Sequence, residues 1–162
     1  MKKYVKIDVE PYNAGFVYKN NDILDICNGY TSYYLDTPVT LNVYTNDGFI
    51  FVNWTENGEV VSTEPDYYFI VDSNRSLVAN FEAIETPSNL NATTIDLHTI
   101  KLTWDEADNA LSYNVYRDDV FVGNVTETSF TDENLTPDKE YCYKVTSVNG
   151  DYESDYSNEA CA

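Results

Sequence analysis

The sequence is short of positive charge: nine lysines and arginines stand against 28 aspartates and glutamates, a formal net charge of −19 over 162 residues. That balance repels phosphate backbones and argues against a nucleic-acid partner. His98 is the single histidine, and it falls in a polar turn, so no Ser/His/Asp or Cys/His set can be assembled around it. No apolar run approaches 18 residues, which excludes a membrane-spanning helix. Phosphate-binding and dinucleotide-binding glycine motifs and zinc-ligand spacings are also missing, and no cofactor is expected. Met1-Lys2-Lys3 has the charged start of an export signal, but the apolar stretch that should follow is replaced by strand-like alternation from Tyr4 to Glu10. Met1 therefore reads as the start of a fragment, with any export signal upstream.

What is present is aromatic. Tyrosine occurs 15 times and aromatics make up 15% of the chain, the composition of a folded, strand-rich protein rather than a disordered one. Alternation stops at Glu82 and restarts after Pro87, so two domains are expected: 1–82 and 88–162, joined by a short linker at 83–87. The linker is too short for a flexible tether, and Ile84 is expected to pack at the junction.

In the first half, Tyr4 to Val9 and Val39 to Tyr44 alternate with period 2. Asn46-Asp47-Gly48 leads into Phe49 to Trp54, and Asn57-Gly58 marks a tight hairpin to Glu59 to Ser62. Tyr67 to Val71 and Ser76 to Phe81 complete the set. Asn21 to Tyr30 fits neither helical nor strand periodicity and reads as a short helical turn or an irregular excursion within residues 19–35, the segment that also holds Tyr33 and Tyr34. The succession Pro38-Val39-Thr40-Leu41, Asp47-Gly48-Phe49 through Trp54, and Leu77-Val78-Ala79-Asn80-Phe81-Glu82 resembles the divergent internalin-B B-repeat over residues 4–82. That resemblance implies a small all-β domain of a bacterial surface protein.

In the second half, Ile100, Leu102 and Trp104 share one strand face, Tyr113 and Val115 another, and Tyr141, Tyr143 and Val145 a third. Short strands separated by polar turns every eight to twelve residues suit a two-sheet sandwich. Trp54, Trp104, Tyr113 and Tyr141 are expected in the cores. Cys142 points away from Tyr141 and Tyr143, and a hairpin folded at Asp151 and Tyr152 would set it opposite Cys161. A Cys142–Cys161 disulfide is therefore expected, which would place the chain in an oxidising compartment; two unpaired surface thiols are the alternative. Cys27 is left over and is expected to pack as a small apolar residue.

Pro87-Ser88-Asn89-Leu90, Ile100 to Trp104, Tyr113 to Arg117, Leu135 to Tyr141 and the closing Ser157-Asn158-Glu159-Ala160 resemble a fibronectin type III domain over residues 86–162. The resemblance implies a seven-stranded immunoglobulin-like sandwich with a tyrosine corner at Tyr141. The adhesive tripeptide Arg-Gly-Asp is replaced by Arg117-Asp118-Asp119, which gives integrin-type binding no support.

The fold class is thus all-β. The function read from the sequence is a non-catalytic accessory or spacer segment of a larger secreted or cell-surface bacterial protein, with neighbouring domains as partners. The alternative is a carbohydrate-binding or adhesion module, for a polysaccharide or host glycan, stacking sugars on Tyr30, Tyr33, Tyr34, Tyr152 and Tyr156. Asp151, Glu153 and Asp155 alternate like early calcium ligands but lack the following glycine and distal glutamate, so no metal is expected, calcium being the weak candidate. Five Asn-x-Ser/Thr sequons, at Asn53, Asn74, Asn91, Asn124 and Asn134, read as chance matches in an Asn- and Thr-rich bacterial chain.

Overall fold

A computed structural model describes residues 1–19, 22, 23 and 30–162. They form strands and turns and no helix, in two compact units, Met1–Ala83 and Ile84–Ala162. Ile84 and Pro87 are buried, and the Glu85 N–H donates to the Asp108 carbonyl; of the stretch expected as a linker, Ala83 ends the first unit and residues 84–87 belong to the second.

The first unit runs β1 (Lys2–Glu10), β2 (Gly15–Lys19), β3 (Asp22–Ile23), β4 (Tyr30–Tyr34), β5 (Pro38–Thr45), β6 (Phe49–Glu56), β7 (Glu59–Ser62), β8 (Tyr67–Ile70) and β9 (Arg75–Ala83). One sheet has the order β4-β1-β9-β6-β7, the other β3-β2-β5-β8. Period-2 patterning builds the core between them: Val5, Ile7 and Val9 of β1 and Leu77, Ala79 and Phe81 of β9 face Val17, Val39, Leu41 and Phe69. Each fully buried leucine or valine here contributes about 1.5–3 kcal/mol. The stretch expected to be irregular is ordered as strand at both described ends, because β2 pairs with β5 and β4 pairs with the edge of β1. Cys27 lies outside the described residues.

Two features of this unit follow from single residues. Asn57 and Gly58 both take positive φ, 54° and 84°, the combination a two-residue hairpin turn between β6 and β7 requires. Gly15 sits where a Cβ would collide with the Tyr44 carbonyl oxygen and lie 2.8 Å from the Phe81 ring, so no side chain fits. Strand β1 pairs in parallel with β9, from Val5 opposite Arg75 to Glu10 opposite Asn80, joining the two ends of the unit in one sheet.

The second unit runs β10 (Asn91–Asp96), β11 (Thr99–Thr103), β12 (Ser112–Arg117), β13 (Val120–Val125), β14 (Ser129–Asp132), β15 (Cys142–Asn149), β16 (Tyr152–Glu153) and β17 (Ala160–Cys161). Its sheets are β10-β11-β14 and β13-β12-β15, with β16 and β17 both along the far side of β15. The two short pieces amount to one interrupted last strand, giving seven in all. Between them the serines keep β15 satisfied: Ser154 Oγ accepts the Ser147 N–H at 2.9 Å and Ser157 Oγ the Val145 N–H at 3.0 Å. The core is Leu90, Ile100, Leu102, Trp104, Tyr113, Val115, Leu135, Tyr141, Tyr143 and Val145.

Candidate functional site

The tyrosines divide by strand parity. In β4, Tyr30, Ser32 and Tyr34 face outward and Thr31 and Tyr33 inward. Tyr30 and Tyr34 are 66% and 67% exposed. Tyr33 is only 5% exposed and belongs to the core, its ring 4.2 Å from Lys19 Nζ. The expectation that Tyr33 stacks sugars is therefore corrected: an odd position on an edge strand turns its ring under the sheet. Tyr4 of β1 lies opposite Ser32, faces outward with it, and is 52% exposed. It was not among the residues singled out from sequence, although its place on the face away from Val5, Ile7 and Val9 was legible there.

Two depressions lie on this outer face. One of about 340 Å³ is lined by Tyr4, Lys6, Tyr30, Glu56, Asn57 and Asn74 with the start of β9. The other, about 850 Å³, is lined among others by Glu10, Asn53, Thr55, Val78, Asn80 and Glu82. Charges at the first are compensated. Lys6 Nζ lies 2.6 Å from Asp8, whose hydrogen bond raises the lysine pKa despite its partial desolvation. Arg75 holds Glu56 through Nε and Nη2, the shortest contact being 2.6 Å, and its guanidinium caps the Tyr67 and Phe69 rings. Burial works against the Arg75 charge, and the bonds to Glu56 and Tyr67 more than offset it, raising its pKa. At the second depression, Asn80 Nδ2 donates to Asn53 Oδ1 at 2.8 Å and Thr55 Oγ1 at 3.1 Å.

In the second unit, Tyr152 is half-buried and Tyr156 is 51% exposed. Tyr156 meets Tyr116 edge-on at 5.2 Å, and Tyr116 meets Phe121 edge-on at 5.9 Å, so these rings serve one another. Glu153 is turned to the same sheet face: its Oε1 accepts from Tyr116 at 2.7 Å, from Asn114 at 3.1 Å and from the Thr146 hydroxyl. Burial alone would raise its pKa, but those three donors together hold it below the usual carboxylate value. Burial, then the bond to Glu153, pushes the Tyr116 phenol up to about 12.

That engagement commits Glu153, one of the three residues of the weak calcium candidate, to the sheet face. Among the described residues, the one group of three potential metal ligands within 4.8 Å of one another is Cys142, Glu159 and Cys161, not Asp151, Glu153 and Asp155. Cys142 and Cys161 are directly paired across β15 and β17 and joined as a disulfide, with Cα atoms 4.1 Å apart. His98 is exposed in the turn between β10 and β11, its Nδ1 2.8 Å from the Leu135 carbonyl.

The expected core residues are structural. Trp54, Trp104, Tyr113 and Tyr141 are all buried. Tyr141 Oη accepts the Thr136 N–H at 3.1 Å, the crossover-fixing bond of a tyrosine corner. Residues that sequence reasoning missed form an ionic tie across the second sandwich: Tyr143 donates to Asp132 at 2.9 Å, and Arg117 holds the same carboxylate at 2.9 and 3.1 Å. Burial and the Asp132 bond push the Tyr143 pKa upward.

Residues 85–161 match the fibronectin type III domain, and residues 26–85 match the divergent InlB B-repeat domain. The chain is 33% identical over 81 residues to a poly(3-hydroxybutyrate) depolymerase of Ralstonia pickettii, covering 50% of this chain and 17% of that protein. Over 117 residues it is 33% identical to an amylopullulanase of Thermoanaerobacterium thermosulfurigenes, covering 65% of this chain and 6% of that protein. The chain thus spans a small part of the relatives it matches. Among solved structures, a Fn3-like protein from Clostridium thermocellum is similar at 31% identity and a TM-score of 0.47, covering 49% of this chain and 92% of that one.

Proposed function

We propose that this chain, a divergent InlB B-repeat domain followed by a fibronectin type III domain, is a non-catalytic accessory segment of a longer secreted or cell-surface bacterial protein. It spaces and positions a neighbouring catalytic or adhesive domain. The observation that carries this reading is the pattern of similarity: 65% of the chain corresponds to only 6% of an amylopullulanase. The side-chain chemistry supports it too. The acids and tyrosines with the most marked surroundings, Glu153, Asp132, Tyr116 and Tyr143, are bound to one another and to structural partners. The disulfide fits an oxidising compartment.

The test has two arms. The purified chain is assayed for release of reducing ends from starch and pullulan and of hydroxyacid from poly(3-hydroxybutyrate), with no turnover above buffer expected. The longer protein is then compared with and without this segment. The reading expects unchanged kcat on a small soluble substrate and reduced activity on the insoluble polymer. Hydrolysis by the isolated chain would overturn it.

A second reading, a carbohydrate-binding or adhesion module, is favoured by one observation: Tyr30 and Tyr34 stand exposed on the same sheet face as Tyr4.

A further inference from the structure

We infer that the outer face of the β4-β1-β9-β6-β7 sheet, centred on Tyr4, Tyr30 and Tyr34, is a binding site for an uncharged polysaccharide. The inference rests on the binding-module reading and gives it a location and a ligand charge.

Three observations converge on this face. The first is the arrangement of rings. Tyr30 and Tyr34 are four residues apart on one strand, roughly 13 Å along it. Tyr4 stands on the neighbouring strand at the level of Ser32, midway between them. All three are more than half exposed, and among the described residues none makes a ring–ring contact. The apolar faces of separated rings are the surface against which the C–H face of a pyranose packs. A row of them at successive levels fits a chain of sugars better than a single one.

The second is hydrogen-bonding capacity beside the rings. The depression of about 340 Å³ touches both Tyr4 and Tyr30, within the size range of small-ligand sites. Asn74 Oδ1 is fixed by the Tyr4 N–H at 3.0 Å, which anchors the amide and leaves its NH₂ donors for a hydroxyl. Asn57 lines the same depression from the hairpin turn. Past that turn, the larger depression continues along the sheet with Asn53, Thr55 and Asn80, where Asn80 Nδ2 is already bonded to Asn53 Oδ1 and Thr55 Oγ1, so this part contributes shape rather than donors. The planar amides of Asn57 and Asn74 match the donor and acceptor pattern of sugar hydroxyls, and the second depression extends the surface to polymer length.

The third is charge. Lys6 is paired with Asp8 and Arg75 with Glu56. The chain as a whole carries −19. Lys2 Nζ stands 5.7 Å over the Tyr34 ring, a single cation against a long-range field that disfavours an anionic polymer, and the ligand class inferred is therefore uncharged.

Two other aromatic faces serve as internal controls. On the outer face of the β3-β2-β5-β8 sheet, Phe16, Tyr44, Tyr68 and Ile70 are exposed, but the neighbouring amide Asn42 is engaged with Asp66. In the second unit, Tyr116, Phe121 and Tyr156 pack edge-on against one another.

The experiment is native gel electrophoresis of the whole chain through gels containing soluble starch, pullulan, hydroxyethylcellulose or galactomannan, with carboxymethylcellulose and polygalacturonate as anionic counterparts. At least one neutral polymer is expected to retard the chain and the anionic ones are not. Tyr4→Ala and Tyr30→Ala should each weaken retardation by roughly two- to tenfold, the scale of one aromatic contact, and the double variant should abolish it. Tyr44→Ala and Tyr68→Ala should change nothing. Amide shifts of the unaltered chain on titration with an oligosaccharide of the retarding polymer give a second readout, independent of any variant's folding, and should concentrate in β1, β4 and β9. No retardation by any polymer overturns both the site and the binding-module reading. Retardation that survives the double variant, or that is lost with Tyr44 or Tyr68, overturns the site alone. Retardation by an anionic polymer only overturns the ligand class.

Discussion

The two units share aromatic interiors but use their outward aromatic residues in opposite ways. In the first, aromatics form the interior: Trp54 packs with Phe51 at 6.0 Å and Tyr67 at 6.1 Å, Phe51 with Phe81 at 5.6 Å, and Arg75 closes the cluster 4.5 Å over Phe69. Its outward tyrosines on β1 and β4 remain separate from one another. In the second, a polar tie of Arg117, Asp132 and Tyr143 crosses the interior, a disulfide closes the edge, and the outer aromatics pair with each other. A tyrosine whose ring already has an aromatic partner and whose hydroxyl already has an acceptor serves stability. One with neither is free to meet a ligand.

The largest effects should come from the two tryptophans. Trp54→Ala and Trp104→Ala each remove a fully enclosed ring and should cost about 3–5 kcal/mol, read by denaturant unfolding. Replacement by phenylalanine separates them further. Trp54 Nε1 donates to the Pro65 carbonyl at 3.4 Å, while Trp104 Nε1 has no partner among the described residues. Trp104→Phe should therefore be the milder of the two, and equal losses would show that the difference in bonding has no energetic content. Next in size is the disulfide. Cys161→Ser should destabilise the second unit by about 3 kcal/mol, given a separation of 19 residues, and leave the first unit's transition in place.

Legibility followed the same division. Alternation in β1, β5, β9, β11, β12 and β15 was readable because apolar and polar residues alternate without ambiguity. Asn57-Gly58 and the Cys142–Cys161 spacing were readable because each has a local geometric cause. Strand β4 was not. Tyr30-Thr31-Ser32-Tyr33-Tyr34 offers no contrast between its faces, since tyrosine serves both inside and outside. The parallel union of β1 with β9 joins residues 70 apart, and nothing in either strand names the other. Hence the candidate site was only half visible: Tyr30 and Tyr34 stood out by composition, but Tyr4 joins them only once β4 is laid against β1.

Two phenol-to-phenyl changes sharpen the contrast between inward tyrosines. Tyr143→Phe removes a bond to a carboxylate and should cost about 1.5–3 kcal/mol. Tyr33 Oη is buried without a partner among the described residues, so Tyr33→Phe should be neutral or stabilising. Chemical denaturation of both variants tests the pair; a clear loss in Tyr33→Phe would reveal a bond at that hydroxyl.

The smallest effect is the pH response of the second unit's outer face. The Glu153 pKa is depressed on folding, because the donors from Thr146, Tyr116 and Asn114 outweigh the burial that would raise it. Its contribution is therefore fully present above the unfolded value near 4.5 and is lost as pH falls through the lower folded value. Glu153→Gln keeps an acceptor but not the charge. The gap in melting temperature between wild type and variant should be largest near neutral pH and close below pH 4, corresponding to about 1 kcal/mol or less for a partly exposed group. The phenol of Tyr116 shifts the other way: raised from 10.0 to about 12, it favours the folded state below pH 10 and loses that effect as pH rises through 12. Absorbance of phenolate near 295 nm should thus show a late-titrating fraction, and Glu153→Gln should move part of that fraction earlier. A single tyrosine titration, unchanged by Glu153→Gln, would mean that the ring and the carboxylate on this face are not coupled, and the contrast between the two faces would dissolve.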